Sequence, residues 1–325
     1  MPDKETGPSC IDIREDDLSD ISPEVLATLL RHHTTGKNIF WATHDYEALG
    51  SEYGYHSEIL PELITGEHGM VIRPRVFKSK ENQTDRSKDM AEVFTPSWVC
   101  NAQNNLVDES WFGRKNVFNI EDGEKHTWQS HTSKIRFPRG KKWEDYVKAN
   151  RMEMACGEAP YLVSRYDTTT GDYIPIENRI GLLDRKLRIV SEKTKTDSEW
   201  IKWALTALQS TYGFEWQGDS LLLAREAIFV TFIENYQLRW NTTDKPQLNV
   251  LIKAAEIISW NLWQMDGLKY GIPSYEPLER LDNGLFESQF NVKPENRFCR
   301  IMQWTDTEPL NGEEIAFCKL LKTSK

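Results

Sequence analysis

Two hydrophobic periods alternate along this chain. From Ser22 onward Val25, Leu26, Leu29 and Leu30 share one helical face; Ser22 can cap that helix, Pro23 suits its first position, and Thr34-Thr35-Gly36 ends it. Asn38-Ile39-Phe40-Trp41-Ala42 and Met70-Val71-Ile72 are short β-prone runs. Between Tyr46 and Gly69 the sequence has no clear period and reads as loops, and residues 78–88 read as an exposed polar linker. Thr95 is pushed extended by the proline that follows it, and Pro96 can open a helix carrying Trp98, Val99, Ala102, Leu106 and Val107. Residues 118–142 are rich in turn formers, and Trp143 to Asn150 suggests a short helix.

The middle of the chain is more regular. Met152 to Cys156, Tyr212 to Trp216 and Trp260 to Met265 predict strands. Between them, 179–190, 199–209, 221–240 and 248–259 carry helical spacing, the third being the longest amphipathic stretch. Strands alternating with helices favour an α/β fold with a mainly parallel sheet. Residues 1–20 read as a disordered acidic tail, 21–90 as a helical and loop extension, 91–275 as the core with an insertion near 168–195, and 276–325 as a C-terminal segment.

Composition narrows the class. Among 325 residues, 50 acids against 40 bases give a net charge of -10, which argues against coating nucleic acid by bulk charge. Two local basic clusters remain, Arg73 and Arg75 with Lys78 and Lys80, and Arg136 and Arg139 with Lys141 and Lys142; each alone reads as solvated loop charge. No apolar run approaches the ~18–20 residues of a membrane helix, and the first residues lack the apolar core of a secretory signal, so the expectation is a cytoplasmic protein without a membrane partner. The five cysteines are scattered and form no CxxC pair; His32, His33, His44, His56 and His68 do not fall at metal spacing on one element, so no metal site is expected. Cys156 has no identifiable paired histidine and reads as a packing residue.

Three acids stand out by position. Glu153, Glu215 and Asp266 sit at or beside the carboxyl ends of the three predicted strands, where an open α/β sheet forms its ligand crevice. Gly157 would let backbone approach a ligand. Glu215, before a turn and a long helix, is placed to grip ribose hydroxyls; Trp216 could pack on an adenine face, and Asp266 could accept from an adenine amino group.

These acids and Phe94-Thr95-Pro96 stand in an order that resembles the amino-directed, adenine-N6 DNA methyltransferases of restriction–modification systems, and more narrowly the restriction endonuclease subunit M group. Phe94, Thr95 and Pro96 resemble the Tyr/Phe-Thr-Pro signature that lines the methionine pocket of S-adenosylmethionine in that family. Glu153-Met154-Ala155-Cys156-Gly157-Glu158-Ala159-Pro160-Tyr161-Leu162 resembles its cofactor loop, Tyr212 to Trp216 its ribose-binding strand, and Gln264-Met265-Asp266-Gly267-Leu268 its adenine-side strand end. The resemblance implies a Rossmann-like methyltransferase sheet with helices on both faces over 91–275. It implies S-adenosylmethionine as cofactor, held by Phe94, Thr95, Pro96, Glu153, Cys156, Gly157, Ala159, Glu215, Trp216 and Asp266, and double-stranded DNA as partner.

The sequence departs from that pattern. Met154 replaces a proline and Ala159 a second glycine. The interval from Glu153 to Glu215 is 62 residues, more than one strand–helix–strand unit needs. No Asn/Asp-Pro-Pro-Tyr/Phe acceptor motif follows Asp266, so the catalytic residues are not identifiable. Two readings follow: a modification subunit of a restriction–modification or phage-defence system with a partner subunit carrying the acceptor-base motif or the nuclease, or a catalytically silent methyltransferase-like subunit that binds DNA or protein.

Overall fold

A computed structural model of the chain describes residues 11–78, 95–273, 298–305 and 311–320. The acidic start is helical where a tail is expected: α1 (Glu15–Ile21) carries Leu18 into the main core, burial that holds the segment down. The next helix, α2 (Pro23–Leu30), forms as its sequence dictates. Ser22 Oγ accepts the Glu24 amide at 3.2 Å, Pro23 occupies the first turn, and Val25, Leu26, Leu29 and Leu30 are all buried. A two-residue hairpin follows, β1 (Arg31–His32) against β2 (Lys37–Asn38).

The apolar run beyond Asn38 forms no regular strand: the Ile39 amide bonds the Leu30 carbonyl at 2.8 Å, a bridge joins Phe40 to Glu58, and the Trp41 and Ala42 amides bond the Ser57 and Tyr55 carbonyls at 3.1 and 2.9 Å. The Gln264 side chain takes the place of a neighbouring strand: its Oε1 accepts the Phe40 amide at 2.9 Å, and its Nε2 donates to the Phe40 carbonyl at 2.8 Å. Met70-Val71-Ile72 is likewise a turn and bend, not a strand.

Pro96 precedes α3 (Ser97–Phe112), whose first amide is capped from a distance by Asp167 Oδ2 at 2.7 Å; Gly113, at φ 71°, closes its far end. The turn-rich segment beyond contains an antiparallel hairpin, β3 (Asn119–Asp122) with β4 (Thr127–Ser130), and then α4 (Trp143–Lys148).

The sheet that positions the candidate site is built next. β5 (Arg151–Met154) leads through a loop to α5 (Leu182–Lys193) and α6 (Asp197–Gln209), then β6 (Thr211–Glu215), α7 (Gly218–Trp240), α8 (Leu248–Asn261) and β7 (Leu262–Gln264). The strands are parallel in the order β5–β6–β7, with Glu153 opposite Gly213 and Glu215 opposite Gln264. Part of the span expected as an insertion is therefore α5, which carries Leu183, Leu187, Ile189 and Val190 into the core.

A buried cation ties the layer together. Arg225 donates to the carbonyls of Leu29, Arg31, Ser259 and Leu262, the ends of α2 and α8 and the start of β7. Carbonyls at helix ends are where a cation belongs.

The register sorts the sheet's side chains onto two faces. Gly213 and Leu262 lie toward the large helical core. Met152, Met154, Tyr212, Phe214 and Trp263 share the opposite face. The β6 and β7 part of that second face is covered by the antiparallel pair β8 (Arg300–Trp304) and β9 (Gly312–Ala316) and by the single turn α9 (Phe317–Leu320), with Ile301 and Phe317 clustered with Phe214 and Trp263, while Met152 and Met154 stay exposed. Helices on both faces were expected; among the described residues the second layer is mainly a hairpin, because its alternating apolar positions match the flat aromatic surface. The architecture is mixed α/β.

Candidate functional site

The parallel sheet brings the strand-end acids to one edge. Glu215 is the last residue of β6, and the Met265 amide bonds its carbonyl at 2.9 Å, so Asp266 stands one residue past that contact. Glu215 Oε2 accepts the Gly157 amide at 2.8 Å, and Oε1 accepts those of Trp216 and Gln217 at 2.8 and 3.3 Å. The carboxylate thus links the β5 loop to the β6 turn.

That loop is shaped by left-handed residues. Ala155, Gly157 and Ala159 have φ of 50°, 52° and 59°. No atom lies within 4 Å of where a Cβ on Gly157 would stand, so this backbone faces open space beside Glu215. Cys156 and Ala159 point the other way, into the core. Burial pushes the Cys156 thiol well up, with Glu215 and Glu153 adding to the shift, which leaves it a poor nucleophile.

Glu153 lies under the same loop. Its Oε1 accepts the Tyr161 amide at 3.4 Å, while its enclosed Oε2 has no hydrogen-bond partner. Burial pushes this carboxyl well above the ordinary carboxylate range, against the pull of the Tyr161 and Leu162 amides. Thr95 approaches from the other side: its carbonyl accepts from Thr168 Oγ1 at 3.3 Å and from Cys100 Sγ at 3.6 Å, and Tyr161 hydrogen bonds both Thr95 and Cys100. Thr95 and Pro96 therefore adjoin the loop of Glu153 and Gly157, although about sixty residues separate them in sequence. Phe94 lies outside the described residues.

On the β7 side, Asp266 Oδ1 accepts the Leu268 and Lys269 amides at 2.8 and 3.0 Å, as in a turn cap. Its Oδ2 stands 3.9 Å from Lys269 Nζ. The Trp216 indole donates to Tyr55 Oη at 2.8 Å, and the charge of Asp266 acts on the Tyr55 hydroxyl. Glu153, Gly157, Glu215, Trp216 and Asp266 thus lie along one rim.

Sequence reasoning placed Tyr161 in the cofactor loop by resemblance and missed Tyr55 and Asp167. Tyr55 sits in an aperiodic stretch that carries no signal, and Asp167 reads locally as a turn former although its reach is to α3. Of the histidines, His33 stacks on Trp260 at 3.8 Å between ring centroids and contacts Ser259 Oγ at 2.8 Å. The first basic cluster is partly consumed by ion pairs of Arg73 with Asp12 and Lys78 with Asp219, whereas Arg136, Arg139, Lys141 and Lys142 are exposed.

No family model, no curated protein and no solved structure matches the chain.

Proposed function

We propose that the chain is the modification subunit of a restriction–modification or phage-defence system, a Rossmann-like protein that takes S-adenosylmethionine at the β5–β6–β7 rim and acts on adenine N6 of double-stranded DNA. The observation that carries the reading is the meeting of Gly157, in the loop after β5, with Glu215 at the end of the neighbouring parallel strand β6, with Asp266 just past β7. A carboxylate beside an open glycine at a strand end suits a nucleoside ribose.

The residues present fit that cofactor. Glu215, at the carboxyl end of β6, is a carboxylate of the kind that accepts ribose hydroxyls. Half-exposed Trp216 offers a ring face to adenine, and Asp266 Oδ2 an acceptor to its amino group. The unpartnered Glu153 Oε2, beside Thr95 and Tyr161, suits the ammonium of the methionine part. S-adenosylmethionine, when bound, supplies the electrophilic methyl group; the chain's share is orientation, which mainly determines the rate of such a transfer.

The acceptor-base motif comes, in this reading, from a partner chain. The β5 border supports it. The Arg151 amide pairs inward with Ser210, so the backbone of Met152 and Met154 faces outward, and no described residue pairs with it. Met152 and Met154 are 45% and 69% exposed, which leaves an apolar edge suited to an added strand.

A second reading, a silent subunit that binds DNA or protein, draws on the same carboxylate: Glu215 already holds three amides and can serve as a loop fastener alone. Titration with S-adenosylmethionine separates the two. We expect binding by the full chain and at least about tenfold weaker binding by Glu215→Ala. Folded protein that takes up no cofactor defeats the first reading.

A further inference from the structure

The segment 133–142, Ser-Lys-Ile-Arg-Phe-Pro-Arg-Gly-Lys-Lys, carries five cations and no acid. Its backbone is held from two sides. Ile135 is buried, and its amide donates to Glu192 Oε2 at 2.7 Å. Arg188 Nη2 donates to the Ser133 carbonyl, and Arg114 Nη2 to the Arg136 carbonyl, each at 3.1 Å. Lys134 and Arg136, on either side of Ile135, are left exposed.

Between this segment, the start of α4 and the end of α5 opens a hollow of about 710 Å³. Lys134, Arg136, Lys141, Lys142 and Lys193 line it, and Glu144 is the only acid among the lining residues. The first four are exposed and Lys193 is half-buried. None of the five forms an ion pair among the described residues. Lys141 donates to the Trp111 carbonyl and stands 4.7 Å from the centre of the Trp111 ring; Lys193 Nζ stands 5.3 Å from that of Phe137. Half-buried Phe137 and Trp143 complete the wall.

The hollow is remote from the strand-end acids. α5 begins beside the loop of Glu153 and Gly157, where the Leu182 amide bonds the Tyr161 carbonyl at 2.8 Å, and its 12 residues run about 18 Å to Lys193. On the way Lys186 Nζ meets the Ser210 carbonyl at 2.9 Å, at the start of β6. No residue of β5, β6 or β7 lines the hollow, which lies off the amino ends of the strands.

Five cations gathered with one acid repel one another, and a polyanion relieves that repulsion. An acidic peptide and a nucleic acid both supply the charge. The aromatic rings set among the cations favour the nucleic acid, whose bases stack on ring faces while its phosphates meet the lysines. A hollow of this volume takes nucleotides of one strand and not the width of a duplex. Lysine heads, compact and turning freely on long stems, meet successive phosphates without fixing a base sequence.

We propose that this hollow docks single-stranded nucleic acid, DNA or RNA, through its phosphates and base faces, independently of the strand-end rim.

The test is fluorescence anisotropy of labelled oligo-dT and oligo-rU, each about twelve nucleotides long, titrated with the full chain in the absence of S-adenosylmethionine. Binding is expected, with log affinity falling against log salt at a slope of roughly -2 to -4; the tighter of the two strands names the source. An abasic strand of equal length keeps the phosphates and loses the stacking, and should bind at least about fivefold more weakly. Arg136 and Lys142 make no side-chain hydrogen bond among the described residues, so Arg136→Glu combined with Lys142→Glu reverses two charges without removing a contact. That double variant should keep the wild-type melting temperature, bind at least about tenfold more weakly and shrink the salt slope by roughly 1.4. Lys134→Glu, equally exposed, should also weaken binding and serves where the double variant fails to fold. The proposal is overturned if neither strand binds at up to about 1 mM, if the abasic strand, a duplex of equal length or polyglutamate binds as tightly as oligo-dT, or if the charge-reversed variants bind like the wild type. A chain that takes the strands and not S-adenosylmethionine loses the rim reading and keeps this one.

Discussion

Glu15 on α1 and Glu226 on α7 show how a single carboxyl sets pH behaviour. Both are buried; Glu15 Oε1 and both Glu226 oxygens have no hydrogen-bond partner. Burial pushes Glu15 from about 4.5 up to about 8, with Asp12 and Asp16 adding to the rise and Arg14 opposing it. Burial also raises Glu226, with Glu15 and Asp12 adding and Arg165 opposing. Between its unfolded and folded pKa, Glu15 keeps a proton in the folded chain that the unfolded chain has lost. Stability therefore falls as pH rises from about 5 to about 8. Glu15→Gln, neutral at every pH, should flatten that decline and raise stability near pH 8 by on the order of 1–3 kcal/mol. Melting temperature recorded across the pH range checks this, and an unchanged slope refutes it. The sequence alone offered Glu15 only as part of an acidic tail, because nothing local announces that Leu18 will be buried beside it.

At the scale of elements, the sequence was legible where apolar positions kept a helical period. α2, α5, α6, α7 and α8 fall close to their expected spans, and the three parallel strands fall within one or two residues of theirs. It was silent where partners are distant. The run 38–42 has strand composition but is fastened by the Gln264 side chain, more than two hundred residues away. The β3–β4 hairpin hides among polar residues. For the candidate site, the order of the three acids was readable from strand ends, and the Glu215–Gly157 contact was not. Gly218 tests the run's packing against α7. A Cβ there would stand 1.9 Å from the Phe40 carbonyl oxygen, and the Gly218 amide donates to the Trp41 carbonyl at 3.0 Å. Alanine favours a helix by about 1 kcal/mol over glycine. Displacing the run costs about 1–3 kcal/mol and wins. Gly218→Ala should lower the urea midpoint, and a midpoint at or above the wild type would show that the run yields freely.

Over the whole molecule two cores share the sheet unequally. The large one joins the helices on one face; the smaller holds Phe40, Phe214, Trp263, Met265, Ile272, Cys299, Ile301 and Phe317 on the other. Phe317 sits 5.4 Å from Trp263, 5.7 Å from Tyr270 and 6.3 Å from Phe214 between ring centroids. Removing so central a ring from a small cluster opens that layer alone. Phe317→Ala should speed thiol labelling of buried Cys299 by about a hundredfold while Cys156, in the large core, keeps its slow rate. Equal acceleration at both thiols would mean that the cores open together.

The outer carbonyls of β7 are already spoken for: Arg225 bonds that of Leu262, and Cys299 Sγ donates to that of Gln264 at 3.2 Å. Among the described residues, the β5 side is the border of this sheet left open to another polypeptide. Growth by strand addition on this sheet is thus one-sided, and a second copy arriving along β5 would close both free borders together rather than lengthen the ladder.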